Sequence, residues 1–309
     1  MKIGIVGLGL IGGSIGLEFS TIRRSPDQFS ARFNPLPDSV TDFSPFLESF
    51  LASELIGVSR RQLTCERAVE LGIVDTASTD LANLQAADVI FLCPPIGLIV
   101  PTLEQLVPIL KPTTIVTDVG SVKQPIVAAA NSLWPNFVGG HPMAGTAEQG
   151  IEAALLNLFV GQPYVITPTE TTAAAAVSVV TALAHLLGAT VMHCPPSEHD
   201  QAVAWISHLP VMVSASLITA SQTEESTTTR QLAYQLASSG FRDTSRVGGG
   251  NPELGTMMAQ YNRSAVLKSL YAYRQTLDQL IEQIEQENWP NLNAYLNQTQ
   301  QQRTQFRVQ

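Results

Sequence analysis

Five stretches of this 309-residue chain carry side chains or glycines whose types and spacing could do chemistry. Gly139-Gly140-His141-Pro142-Met143-Ala144-Gly145-Thr146 sets one imidazole between glycines where a strand is expected to end, a position suited to proton transfer. Asp118-Val119-Gly120-Ser121-Val122-Lys123 follows another strand-like run, and open α/β sheets place their ligands at such carboxyl ends. Ser207-His208-Leu209-Pro210 and Gly240-Phe241-Arg242-Asp243-Thr244-Ser245-Arg246 bring polar groups into otherwise apolar helical sequence. Gly7-Leu8-Gly9-Leu10-Ile11-Gly12 has a different use, because it lies directly after the strand-like run 2–6 and directly before a helical pattern. In that setting Gly7 makes the tight turn, Gly9 lets backbone approach a pyrophosphate, and Gly12 lets the helix close on the strand. The amino end of the helix then faces the phosphates.

An NAD site usually ends its second strand with a carboxylate that accepts from the ribose hydroxyls. Here that strand ends Gly57-Val58-Ser59-Arg60-Arg61, with a hydroxyl and two guanidinium groups and no carboxylate. This set suits a 2′-phosphate, so the expected cofactor is NADP; the competing reading makes Arg60 and Arg61 solvated charges at the start of a helix. Cys93 and Pro94, just past a strand end, join Ser121 and Met143 as cofactor-binding candidates, although a small apolar side chain explains Cys93 without reactivity. Lys123 reads equally as a group that neutralises ligand charge or as a helix-surface lysine. His199-Asp200 reads first as a pair at a helix amino terminus and only second as part of an active site.

The elements that must position these residues divide the chain in two. Runs at 3–6, 55–58, 89–92, 114–117 and 164–167 are strand-like and near-continuously apolar, with most of the intervals long enough for crossover helices, which predicts a doubly wound, mostly parallel α/β sheet of the Rossmann type over 1–195. From 196 to 309 only helical periodicity remains, predicting an all-helical second domain. Val266, Leu270, Tyr273, Leu277, Leu280 and Ile284, spaced 4, 3, 4, 3, 4, form an apolar seam that wants a partner helix from the same chain or from a second copy. Residues from Ser20 to about Phe50, with Pro26, Pro35, Pro37 and Pro45, read as an insertion forming a partly ordered surface loop. The last dozen residues, rich in Gln and Thr, are expected to fray.

Composition narrows the functions further. A formal charge of −9 has the wrong sign for a nucleic-acid binder, and three scattered cysteines indicate neither a disulfide framework nor a zinc site, so a reducing cytoplasm is expected. The chain enters an apolar run at Ile3 without a charged n-region or cleavage site, so export is not expected. The uncharged stretch 173–192 is as long as a membrane span, but its alanines, His185 and Gly188 predict a buried helix followed by a short strand.

The motifs GxGxxGGS, DVGSVK, GGHPMAG, HDQAVAWISHLP and SSGFRDTSRV, in this order, resemble the prephenate and arogenate dehydrogenase family of tyrosine biosynthesis, and Ser59-Arg60 with GGGNPELG resembles its cyanobacterial arogenate branch. The resemblance implies a Rossmann domain followed by a helical dimerisation domain, hence a homodimer through the C-terminal helices. It further implies NADP-dependent oxidative decarboxylation of arogenate, or alternatively of prephenate. By the same resemblance His141 is the catalytic histidine, Ser121 helps to orient it, Arg246 binds a substrate carboxylate, and His208 lines the substrate pocket; Thr146 and Lys123 are further substrate-binding candidates. Two other functions compete. A 3-hydroxyacid dehydrogenase using Lys123 would need a lysine early in the helical half, and residues 197–230 contain none. A non-catalytic NADP-binding sensor would keep the glycine loop and the seam without the chemistry.

Overall fold

A computed structural model describes residues 1–33 and 43–306. Eight strands form one sheet: β1 (Lys2–Val6), β2 (Glu54–Val58), β3 (Thr76–Ser78), β4 (Val89–Leu92), β5 (Ile115–Asp118), β6 (Phe137–Pro142), β7 (Pro163–Thr167) and β8 (Thr190–His193). Their order is β3-β2-β1-β4-β5-β6-β7-β8. All pairs are parallel except β6 with β7, where His141 faces Val165 in antiparallel register. The five strand-like runs are all strands. Two refinements follow: β3 is too short to leave a pattern, and Gly139 to Pro142 lie inside β6 rather than after it.

Helices cover both faces, which is why the central strands are apolar throughout. α1 (Leu10–Arg24), α2 (Phe43–Leu51), α3 (Gln62–Glu70) and α6 (Ala174–Leu186) bury one face, with Phe19, Phe50, Phe91 and Leu183 in its core. α4 (Ile96–Leu106) and α5 (Gln124–Leu133) bury the other, over Ile90, Leu92, Leu103, Ile126 and Trp134. The stretch 173–192 resolves into the buried α6 and the strand β8, as its composition predicts.

The expected insertion needs correction. α1 runs on to Arg24, a 3-10 helix covers Pro26–Phe33, and α2 puts Phe50, fully buried, edge-on to Phe19 with ring centroids 5.2 Å apart. Aromatic side chains recruit this connection into the core; Pro35 and Pro37 lie outside the described residues.

The second half contains only helices among the described residues: α7 (Pro196–Val203), α8 (Leu209–Ser221), α9 (Thr227–Leu236), α10 (Ser239–Ser245), α11 (Pro252–Tyr261), α12 (Arg263–Glu285) and α13 (Trp289–Arg303). A π-turn, Ala204–His208, joins α7 to α8 just before Pro210, whose ring and missing N–H forbid the regular ladder there. The run Pro196–Ser221 is long and apolar enough to cross a membrane by length and composition, yet it carries His199, Asp200 and His208, all buried against the rest of the chain. The seam on α12 starts buried at Val266 and ends exposed: Tyr273, Leu277 and Ile284 are uncovered, together with Trp205 and Ile206. The C-terminus is more regular than expected, since α13 continues to Arg303; residues 307–309 lie outside the described residues.

Phe50→Ala would empty a fully buried ring site and is expected to destabilise the chain by about 3–5 kcal/mol in urea unfolding. A change under about 0.5 kcal/mol, as at an ordinary surface position, would contradict the core role of α2.

Candidate active site

The carboxyl ends of β1, β4, β5 and β6 open on one edge of the sheet. At the first, Gly7 adopts φ +94°, and its N–H donates to Val58 O at 2.9 Å, tying the β1–α1 turn to the end of β2. A side chain at Gly12 would strike Gly7 O at 2.2 Å, whereas nothing lies within 4 Å of one added at Gly9. Gly9 caps α1 without a side chain, and the first turn holds no acidic residue, so its free N–H groups and dipole are available to an anion. Leu8 is buried in the core, while Leu10 and Ile11 are half-buried.

Ser59 follows β2 half-buried, and Arg60 and Arg61 are exposed, with no side-chain partner among the described residues. Val6 pairs with Val58, so these three residues stand beside the glycine turn. Arg61 also opens α3, so the competing reading of helix-start charges holds as a description of place. Cys93 N donates to Val6 O at 2.7 Å, and Cys93 lies against Gly7 and Gly12. Burial, and then the charge of Asp118, push its thiol pKa up, so it stays protonated and inert. Pro94 is half-buried beside it, and Met143 continues from β6 with its N–H on Pro163 O at 2.8 Å.

His141, near the end of β6, is 8% exposed. Its Nδ1 lies 2.8 Å from His199 Nε2, and His199 Nδ1 lies 2.8 Å from Asp200 Oδ1. A carboxylate only accepts, so His199 donates from Nδ1, and a neutral His199 then accepts at Nε2. His141 must therefore carry its proton on Nδ1, which leaves Nε2 with a lone pair. Desolvation, followed by the charges of His199, Lys123 and His208, pulls the His141 pKa well below 6.5. The ring is a neutral base at physiological pH.

Asp200 has a second task. Its Oδ1 accepts from Lys123 N at 2.7 Å and its Oδ2 from Gln124 N at 2.8 Å, capping α5. The expected helix-terminus role is thus real but belongs to a helix 76 residues away, and the same pair forms the histidine chain. Both readings of His199-Asp200 thus describe where the pair lies.

Lys123 also departs from expectation. Its side chain is fully buried, pairs with Asp118, and donates to Gly140 O at 2.7 Å, so it braces the strand that carries His141 instead of facing a ligand or solvent. Burial lowers its pKa and the Asp118 charge opposes that shift. Asp118 accepts further from Gly120 N at 2.8 Å and Gly140 N at 3.1 Å. Ser121 Oγ is buried with no partner among the described residues, and the ring that contacts His141 is His199.

His208, at the π-turn, is fully buried; its Nδ1 lies 3.2 Å from Asn262 Nδ2, and its Nε2 has no partner among the described residues. Desolvation first pulls its pKa down, to about 4. Two expected residues stay outside this cluster. Arg246 is exposed on a 3-10 turn held to α8 by Gly248 N donating to Ser214 Oγ at 2.8 Å, and Thr146 is exposed on the loop after β6, accepting from Glu148 N at 3.2 Å.

A parallel sheet in this strand order takes dinucleotides at the reversal between β1 and β4, and a neutral buried base on the same edge is what hydride removal from an alcohol carbon requires. Fold and site are those of a Rossmann-type dehydrogenase. Family models agree: residues 48–193 match the prephenate dehydrogenase nucleotide-binding domain, and 195–298 the prephenate dehydrogenase dimerization domain. Prephenate dehydrogenase of Bacillus subtilis (strain 168) is 29% identical over 296 residues, 94% of this chain and 72% of that one. The crystal structure of Synechocystis arogenate dehydrogenase is 53% identical over 99% of both chains, with a TM-score of 0.81. That of Aquifex aeolicus prephenate dehydrogenase, in complex with hydroxyphenyl propionate and NAD+, is 27% identical over 99% of this chain and 98% of that one, with a TM-score of 0.84. The chain belongs to the prephenate dehydrogenase family.

Because His141 and His208 bind protons more weakly folded than unfolded, unfolding takes up protons as pH falls from 6.5 toward about 4, and stability drops through that window. The acid limb of kcat/KM is accordingly expected below pH 6.5. A limb at pH 7 or above would contradict the buried, neutral His141.

Proposed function

We propose that this chain oxidises L-arogenate to L-tyrosine with NADP, losing carbon dioxide, and works as a homodimer. The observation that carries the reaction is the Asp200–His199–His141 chain, which ends in a neutral acceptor at the carboxyl edge of β6. When bound, NADP supplies the hydride acceptor. His141 Nε2 takes the proton of the ring hydroxyl as hydride leaves the carbon bearing it, and returns it to that oxygen as the pair freed by decarboxylation aromatises the ring. Products are carbon dioxide, reduced cofactor and a neutral phenol. Arg246, with a planar fork of donors and no partner among the described residues, is assigned to a substrate carboxylate, with Thr146 beside the pocket.

The open Gly9, the uncapped α1 and the free Arg60 and Arg61 support NADP: they leave room for a pyrophosphate and offer two cations and the Ser59 hydroxyl to a 2′-phosphate. The 53% identity to the Synechocystis enzyme supports arogenate over prephenate. Uncovered Tyr273, Leu277 and Ile284 on α12, in the part matching a dimerization domain, support the homodimer; sedimentation should give twice the chain mass of 33.2 kDa. We take the domain border at 195/196 and place the protein in the cytoplasm, without nucleic-acid or membrane partners.

Initial rates with arogenate or prephenate and NADP or NAD test this directly. Tyrosine formed with arogenate and NADP is expected; prephenate turnover in preference would move the protein to the other substrate, and no turnover in any pairing would leave a nucleotide sensor. His141→Ala should cost roughly two to four orders of magnitude in kcat with cofactor affinity intact. Joint Arg60→Ala and Arg61→Ala should raise the KM for NADP roughly tenfold or more and spare NAD; equal effects on both cofactors would defeat the phosphate assignment.

A further inference from the structure

Asn262, between α11 and α12, has no place in the function above, yet it is 6% exposed and touches the site. Its Nδ2 donates to the backbone carbonyl of Asp200 at 2.7 Å and faces His208 Nδ1 at 3.2 Å. A carbonyl can only accept, so the atom facing Asp200 is the amide nitrogen, and the same nitrogen offers a proton to His208. His208 Nδ1 must then accept. A neutral imidazole that accepts at Nδ1 carries its proton on Nε2, and that buried Nε2 has no partner among the described residues.

We propose that Asn262 is a positioning residue that fixes His208 as an Nε2–H donor for an acceptor oxygen of the bound substrate. Resting on the dehydrogenase reading, this makes the two site histidines opposite in polarity. His141 accepts at Nε2 because its Nδ1–H donates to His199, and His208 donates at Nε2 because its Nδ1 accepts from the Asn262 amide. Both settings lead back to Asp200, through its carboxylate in one case and its carbonyl in the other. A substrate group that both gives a proton and presents lone pairs, or two groups of opposite kind, fits such a pair; an apolar edge would strand the His208 N–H.

The tautomers are readable in long-range proton–nitrogen spectra of the full-length protein labelled with 15N-histidine near neutral pH. The five histidines make assignment tractable, and the His208 signal is the one lost in His208→Gln. His208 is expected as the Nε2–H form, changing in Asn262→Asp. In the same variant the KM for the amino- or keto-acid substrate should rise roughly tenfold to a hundredfold while the KM for NADP holds. His208→Gln, whose amide can still donate, should keep substrate affinity well above that of His208→Leu, a comparison that stands even if Asn262→Asp fails to fold. An Nδ1–H form of His208 in the unmodified protein, or equal substrate affinities for the two His208 variants, would overturn the assignment. The spectrum is independent of turnover, so an inactive protein with the expected tautomers would count against the dehydrogenase reading and not against the role of Asn262.

Discussion

One carboxylate holds the two halves of this molecule in register. Asp200 comes from the helical half, yet it receives the first free N–H groups of α5 in the sheet half, at 2.7 and 2.8 Å. A buried carboxylate is costly unless its lone pairs are filled, and a helix amino terminus is where the field favours it. His199 supplies the third donor, which ties the direction of the histidine chain to the same anchor. Moving α7 relative to α5 would therefore undo an inter-domain contact and a proton arrangement together.

Around that anchor Asp118, Lys123, His141, His199 and His208 are all buried, which explains the charge pattern of the site. The Lys123–Asp118 pair keeps both charges inside, and it is satisfied further by Gly120 and Gly140 backbone. An unpaired ammonium there would be hard to bury, so the pair specifies the geometry of the β5 and β6 ends more than it adds stability. Desolvation in the same interior keeps His141 and His208 uncharged. Neutral rings are what allow hydrogen bonds, instead of net charge, to decide which nitrogen gives and which takes.

What was legible in the sequence was local. The glycine turn, the strand runs and His141 announce themselves because backbone geometry and apolar periodicity act over a few residues, and the sheet half follows from them. Asp200 was harder, since its partners Lys123 and Gln124 lie more than 70 residues away and only the fold brings them close. Lys123 could be read as surface or site because nothing in its neighbours shows that Asp118, five residues before, turns back to meet it. The connection before β2 looked like loop because its prolines outweighed its phenylalanines, and tertiary packing reversed that balance at Phe50. Asn262 had no signal: its meaning lies in two atoms from other helices.

The reversal of direction between β6 and β7 has a consequence for how such a protein divides its labour. Strands from β3 to β6 all present their carboxyl ends to one edge, and β6, which carries His141, is the last to do so. Beyond it β7 and β8 present their amino ends to that edge, so no further carboxyl end opens there and the helical half supplies His208 from the π-turn. The glycine turn with Ser59, Arg60 and Arg61, and the helical residues His208 and Arg246, thus lie on separately encoded blocks of the chain. A helical block exchanged between relatives would have to bring its own equivalent of Asp200, or the amino terminus of α5 would lose its cap and the histidine chain its anchor.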